Sequence, residues 1–317
     1  MKEEGIEVEV RRWEHESLVE LQEANLQIES GGPEAVPLPD EVTSGLERFD
    51  ILVVQFAPVS RRFIGASAKL KWICVLRGGV ENVDLPCAAA RGIRVLNTPG
   101  RNARAVAECA FGMLLAEFRN IARSHERLKR GVWTRDYPNK NAIPEVHGKT
   151  IGLVGCGMIG RLMAGYVEAF GGKVLVYDPY GENTPGTRVD LDTLLKESDA
   201  VSLHARLTEE SRHLIGEREL ALMKPSAVLI NTARSGLIDE AALVRALRAR
   251  RILGAALDVF DTEPLPEDHP LLALDNVTLT PHIAGSTIDA FRNSPRLMAE
   301  HLKRMFRGAR DIPIVNG

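Results

Sequence analysis

From residue 150 onward the chain sets short apolar runs between helix-length segments. The runs are TIGLVG (150–155), KVLVYD (173–178), AVSLH (200–204), AVLINT (227–232), LGAALDV (253–259) and NVTLT (276–280). Val, Ile, Leu and Ala fill them without the polar alternation of a half-exposed strand, as expected where both faces of a parallel sheet are covered. Between them lie stretches such as IGRLMAGYVEAFG (159–171) and DEAALVRALRARR (239–251). Strand and helix repeated in this way predict a doubly wound α/β domain.

The first hundred residues carry a shorter version of the pattern: IEVEV (6–10), DILVVQ (50–55), KWICVL (71–76) and IRVLN (93–97). Helical segments and a Pro-rich loop, GGPEAVPLPD (31–40), separate these runs and predict a second, smaller α/β unit. The chain's 317 residues suffice for two cores. Asn97-Thr98-Pro99-Gly100 is a turn-rich boundary and hinge. One long helix is expected over 103–130, where Val106, Ala110, Met113, Leu114, Glu117, Phe118 and Ile121 recur at spacings of three and four. Its broad apolar face suits a subunit interface, an interdomain contact or plain core packing, and all three stay open.

The run TIGLVG leads into Gly155-x-Gly157-x-x-Gly160, which follows a strand and opens a helix. Alone, the three glycines are weak evidence. In this setting the first permits a tight turn, the second lets a pyrophosphate approach the backbone, and the third lets helix and strand pack closely. The helix then presents N–H groups and its positive dipole end to phosphate. KVLVYD ends on Asp178, whose carboxylate suits an adenosine ribose and would repel a 2′-phosphate. The following PYGENTPG contains no arginine to offset that repulsion, so NAD is expected over NADP.

A parallel open sheet binds its ligand beyond the carboxyl ends of its strands. The later strands deliver there Arg234 from LINTARSGLID, then Asp258, Asp261 and Glu263 from ALDVFDTEP, then His282 from TPHIAGST. An arginine at a strand mouth is either a surface charge or a clamp for an anion. Hydride transfer to a ketone builds negative charge on its oxygen, and histidine is the usual proton donor near neutral pH. A carboxylate orients the imidazole and stabilises its charged form, while arginine grips a substrate carboxylate bidentately. Ser235 sits in RSG rather than a nucleophile elbow and reads as a turn residue. His204 borders the cofactor side at the third strand's end and ranks below His282 as a catalyst.

The remaining composition narrows the class. A net charge of −3 gives no electrostatic case for nucleic acid or an anionic membrane. No apolar stretch approaches the roughly 18 residues that span a bilayer, and MKEEGIEVEVRRWEHE is too acidic for a targeting peptide. Cytoplasmic location is the expectation. Cys74, Cys87, Cys109 and Cys156 form no CxxC pair, and the eight histidines show no metal-ligand spacing, so no metal is expected.

On GLVGCGMIGR with Asp178, INTARSGLID, ALDVFDTEP and TPHIAGST, taken in order, the chain resembles the D-isomer-specific 2-hydroxyacid dehydrogenases. The resemblance covers nearly the whole sequence. GRNARAVAE and PEVHGKTIGLVG look most like the phosphoglycerate-dehydrogenase type. It implies two Rossmann-like domains: a doubly wound NAD domain over 100–286, inserted into a smaller flavodoxin-like substrate domain made of 1–99 and 287–317. The active cleft would lie between them, and the protein would be a homodimer. By resemblance Arg234 binds the 2-oxo acid, and Glu263 with His282 forms the proton relay. Substrate contacts would come also from Arg77, Gly78 and Gly79 in the loop VLRGGVENVD, with Arg77 equally suited to an interdomain salt bridge. The NAD contacts it implies are Val106, Gly155, Gly157, Met158, Ile159, Gly160, Asp178, His204, Ala205, Arg206, Thr208, Thr232, Ala233, Asp258 and Gly285.

Two departures stand out. Relatives usually begin with a strand and helix ahead of the one that IEVEV resembles, which suggests a trimmed substrate domain, and no regulatory domain is expected after residue 317. HARLT also carries Arg206 where relatives have proline. Among other functions on the same motifs, an NADH-sensing scaffold like the C-terminal-binding-protein corepressors remains open. So does a phosphite dehydrogenase, whereas formate dehydrogenases typically replace the glutamate by glutamine.

Overall fold

The computed structural model describes residues 6–137, 139–140, 143–309 and 311–316. The chain divides into two compact units, Met1–Arg101 with Ile288–Gly317, and Asn102–Thr287.

The first unit runs α1 (Leu18–Gly31), α2 (Asp40–Thr43), β1 (Ile51–Val54), α3 (Arg61–Ala66), β2 (Trp72–Val75), α4 (Leu85–Ala90) and β3 (Arg94–Leu96). Its strands form a parallel sheet in sequence order, with Val54 opposite Val75 and Cys74 opposite Leu96. Side-chain oxygens of Ser17, Ser60 and Asp84 cap α1, α3 and α4, which fixes where each helix starts. Val59, Ile64, Ile73, Val75 and Val95 build the core. The final helix of the chain, Ile288–Phe306, sets Met298 and Leu302 against Cys74 and Leu96 of this unit. Burial of two such side chains contributes about 2 kcal/mol each.

The expected strand at IEVEV is not formed. Residues 6–10 enter no sheet, and Val8 and Val10 are 51% and 82% exposed. Their alternation describes a face with no apolar surface to cover. The chain leaves this segment through Arg11, whose guanidinium donates to the carbonyls of Val42 and Ser44.

The second unit begins with α5 (Ala103–Phe118) and α6 (Ile121–Lys129). It continues β4 (Thr150–Val154), α7 (Met158–Ala169), β5 (Lys173–Tyr177), β6 (Thr187–Arg188), α8 (Leu191–Glu197) and β7 (Ala200–Leu203). It closes with α9 (Glu217–Leu222), β8 (Val228–Asn231), α10 (Glu240–Arg248), β9 (Gly254–Leu257) and β10 (Val277–Leu279), ahead of the final helix, α11. The seven strands are all parallel, in the order β10-β9-β8-β7-β4-β5-β6. The order reverses between β4 and β7, the switch point at which such sheets open a crevice.

Every residue of β7, β8 and β9 is buried. Consecutive side chains point to opposite faces, so Leu229 and Ala255 join one core while Ile230 and Ala256 join the other. Residues of α8, α9 and α10 complete the first core, and those of α5 and α7 the second. Burial on both sides explains the missing polar alternation. The sequence reading missed β6, because two exposed edge residues carry no pattern.

The helix expected over 103–130 is broken. Asn120 takes a left-handed φ of 55° between α5 and α6, a conformation that Asn tolerates better than most residues. Its amide donates to Asn139 Oδ1 at 2.8 Å, and its Oδ1 accepts from Arg123 at 2.8 Å. Arg123 also pairs with Glu117, which is fully buried and accepts from Thr278 Oγ1 at 2.6 Å. Desolvation raises the Glu117 carboxyl above its ordinary range against the pull of Arg123 and Thr278.

Candidate active site

The crevice edge starts where β4 ends. Gly155 adopts φ +87°, and a Cβ there would stand 2.6 Å from the backbone nitrogen of Ala205. A Cβ on Gly160 would meet the Gly155 carbonyl oxygen at 2.5 Å. Neither position accepts a side chain without moving backbone. Gly157 is different: nothing lies within 4 Å of where its Cβ would be, and it stands as N-cap of α7 with no side-chain cap. Open space over uncapped helix N–H groups is what a pyrophosphate requires. Met158 is exposed and Ile159 half-buried beside it.

Asp178 follows β5. Its Oδ2 accepts from Cys156 N at 2.7 Å, and its Oδ1 from Tyr180 N at 3.0 Å and Gly181 N at 2.8 Å. Two arginines from outside PYGENTPG hold the loop that follows Asp178. Arg161, in the first turn of α7, donates to the carbonyls of Asn183 and Glu182 at 2.8 and 2.9 Å. Arg188 of β6 donates to those of Gly181 and Pro179 at 3.0 and 3.4 Å. Arg161 directly follows the third glycine, so its place in the first turn was readable from sequence. Arg188 required the fold.

His204, after β7, has Nε2 3.0 Å from Ser202 Oγ, while its Nδ1 is buried without a hydrogen-bond partner among the described residues. Burial drives its pKa down to about 4. A ring held neutral in this way is a poor proton donor near pH 7. Ala205 backs the Gly155 turn. Arg206 and Thr208 are exposed, and Thr208 N donates to Ser211 Oγ at 2.7 Å.

After β8 the chain turns on Asn231, whose Oδ1 accepts from Ala233 N at 3.0 Å and whose Nδ2 donates to Arg234 O at 2.8 Å. The turn exposes Arg234, with one guanidinium N–H on the Ala233 carbonyl. Thr232 Oγ1 is buried without a protein partner among the described residues. A buried hydroxyl left this way suits a ligand that supplies the missing bond.

Asp258, after β9, is 1% exposed and committed to the protein. It accepts from Thr280 Oγ1 at 2.6 Å, Ile283 N at 2.9 Å and Ala284 N at 2.8 Å. These bonds bracket His282, which holds a left-handed φ of 52°. His282 Nδ1 lies 2.7 Å from Glu263 Oε2, and Glu263 Oε1 accepts from Phe260 N at 2.9 Å. Burial pushes the Glu263 pKa upward. The hydrogen bonds from His282 and Phe260, with the charges of His282 and Arg234, outweigh it and hold the carboxyl below its usual value. Asp261 is exposed, and its N–H contacts Glu240 at 3.3 Å. Val106 is buried on α5, and Gly285 packs so closely on Asn102 that a Cβ would clash with the amide.

Arg77, Gly78 and Gly79 lie in the first unit. The Arg77 guanidinium pairs with Glu29 of its own unit at 2.5 Å and stacks 3.9 Å above the Phe56 ring.

The chain that carries this arrangement has similar sequences and structures among known proteins. Residues 111–284 match the NAD-binding domain of D-isomer specific 2-hydroxyacid dehydrogenases. A hydroxypyruvate reductase of Thermotoga maritima is 43% identical over 84% of this chain and 87% of its own length. The chain belongs to the D-isomer specific 2-hydroxyacid dehydrogenase family. A D-3-phosphoglycerate dehydrogenase of Methanocaldococcus jannaschii is 40% identical over 87% of this chain, yet the match spans only 53% of that relative's length. The NAD-complexed family member from Lactobacillus delbrueckii ssp. bulgaricus superposes with a TM-score of 0.78 at 30% identity, covering 88% of this chain and 90% of that one. Among the described residues no cluster of His, Cys, Asp or Glu could hold a metal, and no helix is long and apolar enough to cross a membrane.

Proposed function

We propose that this family member is an NAD-linked oxidoreductase that interconverts a D-2-hydroxy acid and its 2-oxo acid. The observation that carries the reading is the 2.7 Å His282–Glu263 pair, set on the same sheet edge as Arg234. When bound, the dinucleotide supplies or receives the hydride. Gly155, Gly157, Gly160, Met158 and Ile159 are assigned to its pyrophosphate, and Asp178 to its adenosine ribose. Val106, His204, Ala205, Arg206, Thr208, Thr232, Ala233, Asp258 and Gly285 line the remainder of that site in this reading.

Arg234 grips the carboxylate of the acid through parallel N–H groups and draws charge toward the adjacent carbonyl. Glu263 takes the imidazole by Nδ1 and fixes its orientation, so proton transfer is assigned to Nε2 of His282. The proton moves to the substrate oxygen as charge grows on it. Arg77, Gly78 and Gly79 are assigned to the acid's polar groups by resemblance alone.

Candidate acids are phosphohydroxypyruvate, hydroxypyruvate and glyoxylate. We assign the protein to the cytoplasm and to a homodimer. Ile121, Leu128, Val132 and Trp133 stand exposed along α6 and the segment after it, a surface suited to a second copy. The test is NADH oxidation against those acids, pyruvate and 2-oxoglutarate, with NADPH in parallel. Turnover of one acid supports the reading, and a chain that binds NADH yet oxidises it with none sinks it.

A further inference from the structure

Glu263 rides on a loop with little core of its own. Of the nine residues 261–269, six are exposed, and Leu265 packs on the first core of the larger unit. Such a segment opens at low free energy unless something ties it down. Two hydrogen bonds tie it to α10, and both end on Glu240, the first residue of that helix. Glu240 Oε2 accepts from Asp261 N at 3.3 Å, and its Oε1 lies 3.0 Å from His269 Nε2. The other ring nitrogen, His269 Nδ1, accepts from Leu271 N at 3.3 Å. Nε2 is therefore the nitrogen that donates to the carboxylate, in a charge-assisted hydrogen bond. Both side chains are largely buried, His269 at 13% and Glu240 at 18% exposure. The positive end of α10 favours a charged carboxylate at this place. One carboxylate thus pins the loop on either side of Glu263.

Glu240 also ends the segment that begins at Arg234. Between them Leu237 and Ile238 are 1% and 3% exposed, and Asp239 caps α10 through Ala242 N at 2.9 Å. Core packing therefore holds Arg234, whereas the Glu263 loop depends on the link to Glu240. We propose that Glu240 and His269 are positioning residues for the proton relay, and that their pair holds the loop on α10 so that Glu263 meets His282 at 2.7 Å. The inference rests on the oxidoreductase reading above and adds to it two residues that act through Glu263. Cutting the link lets Glu263 draw away from Nδ1 of His282, which stabilises the imidazolium less and aims the ring less well. Arg234 keeps its place, so the grip on the acid is spared.

NADH oxidation by the full chain, with whichever acid of the panel above the wild type turns over, tests this. The variants are Glu240→Gln, His269→Leu, His269→Gln, and Glu240→Gln together with His269→Leu. Glu240→Gln keeps the side chain's length but has one acceptor oxygen for two donors. His269→Leu removes a donor, and His269→Gln restores an N–H near the reach of Nε2. Glu240→Gln and His269→Leu should each lower kcat about tenfold, the scale of a lost supporting hydrogen bond. KM for the acid should stay within about twofold of wild type. The double change should lose no more than the worse single change, because both cut one link. His269→Gln should recover most of the rate. NMR titration of the His282 imidazole, without substrate, should give a lower midpoint in Glu240→Gln and His269→Leu than in wild type. If Glu240→Gln fails to fold, the two single His269 variants carry the same comparison. Wild-type kcat with an unshifted His282 midpoint would overturn the proposal, and so would a rise in KM with kcat intact. A wild-type chain that turns over no acid sinks the oxidoreductase reading, and the His282 midpoints then still decide whether the pair positions Glu263.

Discussion

The Asp258 carboxylate fixes the backbone on both sides of His282. It takes the N–H groups of Ile283 and Ala284, the two residues after the histidine, and the hydroxyl of Thr280 before it. A left-handed residue is thereby held from both sides. Asp258→Ala leaves the buried N–H of Ala284, the half-buried one of Ile283 and a hydroxyl short of partners, and should cost about 3 kcal/mol. Urea unfolding measures it, and an unchanged midpoint would refute the clamp.

His282→Ala should lower kcat by roughly 10²–10⁴-fold, the usual contribution of a positioned general acid. Glu263→Gln keeps the size of the side chain and loses the charge, so a smaller loss, about 10–100-fold, is expected. Steady-state kinetics on the same acid rank the two. A larger deficit in Glu263→Gln would reverse the roles assigned to them.

Arg234→Lys keeps a positive charge and abandons the bidentate fork. It should raise KM and lower kcat together, by about tenfold or more in kcat/KM. Since Arg234 is exposed and its guanidinium, among the described residues, hydrogen-bonds to the Ala233 carbonyl alone, thermal stability should stay near that of the wild type. A stability loss with normal kinetics would recast this arginine as structural.

His204 gives the fold a pH dependence. Its folded pKa is about 4 against 6.5 for an ordinary histidine, with burial as the cause. The unfolded chain therefore takes up the proton first as pH falls. Stability is full above pH 6.5 and declines toward pH 4, by on the order of 3 kcal/mol from this group. His204→Leu removes the titration, so its unfolding midpoint should fall less than the wild type's between those limits. Parallel curves would exclude this source.

Glu117→Ala strips Arg123 and Thr278 of a buried partner. Removing one member of a buried ion pair costs about 3–5 kcal/mol, readable in denaturant unfolding. A neutral outcome would mean that water enters the gap and solvates the arginine.

The larger sheet was legible because its physics is local to each strand. A run such as AVLIN, buried on both faces, has no choice but to be apolar throughout. The candidate site was drawn from sequence for a related reason: its residues follow strand ends, where open parallel sheets bind their ligands. Other features came from contacts that a linear pattern does not hold. Asn120 breaks a helix because Asn139 and Arg123 complete its amide. IEVEV has the alternation of a strand, but alternation does not supply a neighbour to pair with. Arg188 reaches the Asp178 loop only because β6 closes the sheet's edge beside β5.

The strand order of the larger sheet has a consequence for descent. Residues assigned to the dinucleotide's pyrophosphate and adenosine ribose follow β4 and β5, on one side of the reversal, and the Arg–Glu–His edge follows β8, β9 and β10 on the other. The chain writes these two parts in separate blocks, one before α8 and one after it. Lineages built on this sheet can therefore drift in their choice of reductant while the acid–base apparatus is inherited whole, or retain the reductant while the acid changes.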